Sequence, residues 1–150
     1  HHWEECRDAP YNALSHLDGL GVTEEVRAVL AAGVRTVFFV GEADLMCNFI
    51  NVEEALHHLN WTHQMDWRLA ERHVWRLPGR EPFGYAKSFA NLDFVIVRRS
   101  GHMVPMDNPE AALDLLTRIL DGASFQDGSQ DAFVPVSRDQ RDLEEDETLP

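Results

Sequence analysis

Two short runs, VFFV at residues 37–40 and FVIV at 94–97, are apolar at every position. A strand with one wet face alternates apolar and polar residues, so a run without alternation has to be covered on both faces, the habit of parallel sheets flanked by helices. Ahead of the first run, Val26, Val29 and Leu30 share one face of a predicted helix. Thr23 reads as its cap and Gly33 as its stop. A helix followed by a doubly covered strand at 34–40 predicts α/β architecture, an open sheet flanked by helices.

The remaining elements are read the same way. Asn51, with Glu54 three positions on, predicts a capping box and a helix through Leu59 that buries Val52, Ala55, Leu56 and Leu59. Residues 61–83 carry aromatic side chains with no clean period, which predicts an irregular excursion with one short strand at 74–77. Strands are expected at 85–89 and 92–98. Asn108 as cap and Pro109 in the first turn start a helix whose Ala112, Leu115, Leu116 and Ile119 follow helical spacing. Past Gly122 the period stops, so residues 1–122 are expected to form the folded segment and 123–150 an acidic disordered tail.

Charge narrows the partners. The chain of 150 residues carries a formal charge of −13, and residues 121–150 hold nine acids against two arginines, so seven of the thirteen net charges sit there. Nucleic acid and anionic membrane surfaces would repel such a chain. No apolar run approaches the roughly 18–20 residues that a membrane span needs. The opening HHWEEC has no methionine, basic start or apolar leader, and the expectation is a piece of something longer. Its two cysteines, Cys6 and Cys47, form no CxxC pair and no zinc-like spacing with histidine. Adjacent histidines such as His57 and His58 point about 100° apart on a helix and chelate one ion poorly. Neither a metal site nor a cofactor is expected. Asn60, Trp61 and Thr62 make a formal glycosylation sequon, and Trp61, Trp67 and Trp75 are expected to pack.

Both apolar runs end alike. FFVGEADLMCN and VIVRRSGHMVP each close a covered strand, then a polar side chain follows from the loop. Ligands and reacting groups gather at the carboxyl ends of strands in open α/β sheets. Asp44 and His102 are placed there, in the order acid then histidine, which is the order of the last two members of an α/β-hydrolase triad. A histidine that moves a proton needs one fixed tautomer, and a buried carboxylate at Nδ1 supplies it. The expectation requires the Asp44 carboxyl to reach the His102 ring.

GEADLMCN and GHMVPMDNPEAAL resemble the acid and histidine motifs of the serine carboxypeptidases, roughly G-D-x-D-x-I-C-N and G-H-M-V-P-x-D-x-P-x-x-A. WEEC, GYAKSFANLDFVIV and LLTRIL are similar to the family as well, and the likeness covers about residues 3–120. It implies the C-terminal part of an α/β-hydrolase fold, with an incomplete sheet flanked by helices. It also implies Asp44 as triad aspartate and His102 as triad histidine. Met46 and Cys47 would line the pocket for the side chain before the scissile bond, and Met103 the pocket for the departing C-terminal residue. Ordinary packing is the other reading of Met46 and Met103. Cys47 is similar to a thiol that stays unpaired, and Cys6 to a cysteine bonded to a partner well upstream. Glu42 stands where the family usually has aspartate.

No G-x-S-x-G nucleophile elbow occurs, since none of the six serines is flanked that way. In the family the nucleophile, the oxyanion donors and the groups gripping the substrate carboxylate precede this segment. Without them the largest electrostatic contribution to acyl transfer is missing. The expectation is therefore a C-terminal fragment or light chain of a serine-type carboxypeptidase, inactive alone, with an N-terminal portion or heavy chain as partner and peptides as substrate. The family likeness also implies the secretory pathway, ending in a vacuole, a lysosome or outside the cell. Two alternatives stay open: a carboxypeptidase-like acyltransferase segment, and a non-catalytic remnant or binding subunit.

Overall fold

The computed structural model describes residues 4, 7–17 and 20–126. Helix α1 spans Asp8–Leu14 and runs into a short 3-10 turn at Ser15–Leu17. Helix α2 (Thr23–Ala31) leads to strand β1 (Thr36–Gly41), followed by α3 (Phe49–His57) and α4 (Gln64–Leu69). Strands β2 (Arg72–Trp75), β3 (Gly84–Phe89) and β4 (Leu92–Val97) come next, then α5 (Val104–Asp107) and α6 (Pro109–Leu120).

The four strands make one mixed sheet in the order β1-β4-β3-β2. β1 and β4 run parallel, with Thr36 opposite Leu92 and Gly41 opposite Val97, while β3 is antiparallel to both its neighbours. This register puts the loops after β1 and β4 at the same edge of the sheet, which is what positions the site. Every residue of β4 is buried, as its unbroken apolar run requires. On one face Trp75, Ala86, Val95 and Val97 pack with Ala111 and Leu115 of α6. On the other, Phe94 and Ile96 pack with Leu30 of α2, Leu56 of α3 and Trp67 of α4. Helices thus cover the sheet on both sides.

Helix α2 closes with Gly33 at φ 75°, where Gly33 N–H donates to Leu30 and Val34 N–H to Val29, an arrangement that satisfies two terminal carbonyls. Asn91, in the turn between β3 and β4, is buried and donates to the carbonyls of Leu30 and Val34, tying that helix end to the sheet. Helix α6 starts as expected, with the Asn108 side-chain oxygen Oδ1 accepting from Ala111 N–H and Pro109 in the first turn.

Several local expectations are corrected. β1 is an edge strand, and Phe39 is 45% exposed rather than fully covered. Thr23 is the first residue of α2 and makes no side-chain cap. Val29 points to solvent, so Val26 and Leu30 carry that helix's packing. Asn48, not Asn51, caps α3: its side chain accepts from Asn51 N–H at 3.0 Å, which starts the helix earlier and leaves Ala55 exposed. In α6 the inward line runs through Ala111 and Leu115, and Leu116 is exposed. The stretch expected to be irregular holds α4, a helix too short to show a period, anchored by the fully buried Trp67. The strand expected at 74–77 is β2, which ends at Trp75.

The boundary at residue 122 also moves. Phe125 is 1% exposed, its ring lies 5.6 Å from that of Trp75, and the Arg35 guanidinium sits 5.5 Å above it. Residues 123–126 therefore belong to the folded part. Cys6 and residues 127–150, the rest of the expected tail, lie outside the described residues.

Candidate active site

The site forms where the two parallel strands end. Glu42 N–H donates to the Val97 carbonyl and Ala43 N–H to that of Ser100, so the loop after β1 is stitched to the loop after β4. The approach depends on Gly41: a Cβ there would lie 2.1 Å from the Gly101 carbonyl oxygen and 2.4 Å from that of Ser100. Only glycine lets the backbones come this close.

Asp44 follows three residues later and is buried. Its Oδ1 accepts from the backbone N–H groups of Met46 and Cys47, at 2.8 and 3.0 Å, which fixes the carboxylate plane. Its Oδ2 lies 3.0 Å from Nδ1 of His102. The hydrogen bond to His102 is the largest influence holding the Asp44 carboxyl below its ordinary value. Burial opposes it, and the two backbone donors add to it.

The loop that carries His102 is held by several hydrogen bonds. Arg99 adopts φ 54°, a conformation unfavourable for a side chain of its size. Its N–H faces the Glu42 carboxylate at 3.5 Å. Gly101 N–H donates to Asp107 at 2.7 Å, and the Asn108 amide donates to the Arg98 carbonyl at 3.0 Å. Asn108 therefore caps α6 and clamps the histidine loop at once. The His102 side chain remains 58% exposed, and Nε2 has no partner among the described residues. Nδ1 is engaged by the protein while most of the ring stays exposed, the disposition a proton shuttle needs.

Met46, 82% exposed, and Met103, 59% exposed, flank Asp44 and His102 in sequence, and Cys47 is an exposed free thiol. None of the three is packed into the core. The structure thus brings Asp44, Cys47 and His102 together, and leaves Met46 and Met103 open to solvent beside them. Gly41, Glu42 and Asp107 were not singled out as positioning groups from sequence. Their signal is their place within the two motifs, where a backbone approach or an amide partner is needed.

The other candidates fall elsewhere. Trp67 and Trp75 are fully buried, and the Trp75 indole donates to Asp114 at 2.7 Å. His57 and His58 lie against Glu54, while His63 packs beside Trp61 and Phe89. Among the described residues no helix is long and apolar enough to cross a membrane.

Comparison with known proteins points one way. The profile of the serine carboxypeptidase family matches residues 1–122. The chain is 38% identical over 126 residues to the pheromone-processing carboxypeptidase KEX1 of Phytophthora infestans, covering 83% of this chain and 21% of that protein. It is 31% identical over 131 residues to serine carboxypeptidase S10 family member 2 of Dictyostelium discoideum, covering 85% of this chain and 23% of that one. The crystal structure of a prohormone-processing carboxypeptidase, Kex1(delta)p from Saccharomyces cerevisiae, superimposes with a TM-score of 0.70 at 26% identity, over 82% of this chain and 27% of that chain. The chain thus spans between a fifth and a quarter of the length of these two curated relatives.

Proposed function

Because this chain belongs to the serine carboxypeptidase family and has the corresponding α/β-hydrolase fold, we propose that it supplies the aspartate and histidine of a catalytic triad that removes C-terminal residues from peptides. The observation that carries the reading is the 3.0 Å contact from Asp44 Oδ2 to His102 Nδ1, on a side chain that is otherwise largely exposed. In the assembled enzyme a serine from another part of the protein attacks the last peptide carbonyl. His102 accepts the serine proton at Nε2 and returns it to the departing amine, which frees the C-terminal amino acid. A water then gives a proton to the same nitrogen and attacks the acyl-enzyme, releasing the shortened peptide as the proton returns to the serine. Asp44 holds the ring in the Nδ1–H tautomer and stabilises the imidazolium formed on the way.

The partner in this reading is the N-terminal portion or heavy chain of the same enzyme, which brings nucleophile and oxyanion donors. Support comes from β1, an edge strand whose Phe39 is exposed on an apolar sheet face, because an uncovered apolar edge is a surface that asks for a neighbour. Met46, Cys47 and Met103 would line the substrate side-chain pockets, a reading favoured by exposed apolar side chains next to the reacting pair. Alone, the chain is inactive in acyl transfer. The family likeness carries with it a secretory route.

Co-expression with the matching N-terminal portion tests the whole reading. Release of C-terminal residues is expected from the pair and not from either part. A rate left intact by His102→Ala in the reconstituted enzyme overturns the role given to His102.

A further inference from the structure

We propose that Asp44, Cys47 and His102 together bind a divalent ion of the zinc class, and that the bound ion takes the histidine out of service. A carboxylate oxygen, the thiol sulfur and a ring nitrogen lie within 4.8 Å of one another. Among the described residues this is the one such group of three. Ligand atoms on a tetrahedral ion are roughly 3.3–3.8 Å apart, given the usual metal–nitrogen and metal–sulfur distances. The Asp44–His102 pair is therefore a few tenths of an ångström too close and the widest separation at most about an ångström too long. Cys47 and His102 are both exposed side chains, and rotation supplies that adjustment.

The surroundings favour the ion as well. Asp44 is already oriented by two backbone N–H groups on Oδ1, which leaves Oδ2 directed at the site, the role that supporting hydrogen bonds play around metals. One carboxylate and one thiolate balance a double positive charge. Thiolate with imidazole selects zinc, cobalt or cadmium over magnesium and calcium, and three protein ligands leave a fourth position open. Binding breaks the S–H bond of Cys47 and releases that proton to solvent, so affinity rises with pH. The Nδ1 proton of His102 passes by way of solvent to Nε2 as Nδ1 takes up the ion. Asp44 then bonds the metal in place of the His102 ring. Spacing along the chain hides the set, because Cys47 and His102 come from different loops.

The binding stands apart from the catalytic reading, and only the inhibition rests on it. Cobalt(II) added to the full chain is expected to give a thiolate-to-cobalt charge-transfer band that saturates at one equivalent and is displaced by zinc but not by magnesium. Cys47→Ser should abolish the band, Cys6→Ser should leave it, and His102→Ala should weaken zinc binding by about tenfold or more. No band, a band that survives Cys47→Ser, or zinc affinity untouched by His102→Ala overturns the site. In the reconstituted enzyme zinc should inhibit and a chelator should reverse it. An intact cobalt site without inhibition counts against the inhibitory half of the proposal and against the role of the Asp44–His102 pair.

Discussion

Nδ1 of His102 meets Oδ2 of Asp44 at 3.0 Å across 58 positions of sequence, with the carboxylate buried and the imidazole largely exposed. The asymmetry fixes one nitrogen and frees the other. Asp44→Asn preserves a carbonyl oxygen for the Met46 and Cys47 N–H groups, so the loop should keep its shape. Its amide nitrogen, however, donates where the ring needs an acceptor, and the histidine turns to the wrong tautomer. In the reconstituted enzyme the expected loss is about 10⁴-fold in kcat, with KM changed far less. Steady-state kinetics check it, and a loss below about tenfold would mean that Asp44 does not orient the ring.

The same carboxyl should leave a signature in stability against pH. Its pKa is lower in the folded protein than the ordinary value of 3.8, chiefly through the His102 hydrogen bond. A group depressed in this way contributes stability that is fully present above its unfolded value and is lost as pH falls through the folded one. Parent and Asp44→Asn should therefore differ by a constant amount from neutrality down to about pH 5. The difference should shrink below 3.8 as the parent's carboxylate protonates. Denaturant unfolding of both proteins across that range measures it. A difference that stays flat into strong acid refutes the shift.

Gly41 tests whether the site depends on backbone proximity. A methyl group there would sit inside the carbonyl oxygens of Gly101 and Ser100, atoms that cannot rotate away. Gly41→Ala must push the two loops apart and strain the Ala43 N–H bond to Ser100 that joins them. A stability loss of about 1–3 kcal/mol is expected, together with loss of C-terminal residue release in the reconstituted enzyme. Chemical denaturation and the peptide assay read the two effects, and a stable, fully active variant would show that the loops tolerate separation.

Much of this site was legible because its parts are local. The unbroken FVIV run of 94–97 does become the fully buried β4, and Asn108 with Pro109 does open α6. Local pattern misled where tertiary neighbours decide. VFFV resembles FVIV in composition, yet β1 has a strand on one side only and Phe39 remains open. Asn48 and Asn51 are equally good caps by type. The structure uses Asn48, in a helix whose Phe49 and Val52 pack on the core. Phe125 looked like part of a polar tail, because a single aromatic residue that docks on Trp75 leaves no period to read. The grouping of Cys47 with Asp44 and His102 depends on the parallel register of β1 and β4, a long-range fact that spacing along the chain does not encode.

That open edge gives the last test, of assembly rather than chemistry. If another part of the enzyme covers β1, Phe39 passes from half-exposed to buried, and burying the rest of such a ring is worth about 1–2 kcal/mol, with charge burial adding to the penalty for lysine. Phe39→Lys removes that gain. Within the chain itself the long side chain keeps its ammonium in water and should be tolerated. Association with a separately expressed N-terminal portion should weaken by about ten- to a hundredfold, and recovered activity should fall in step, while the melting temperature of the isolated chain barely moves. Pull-down and activity titration measure the first two, and thermal unfolding the third. Undiminished association would mean that the covering portion does not use this edge.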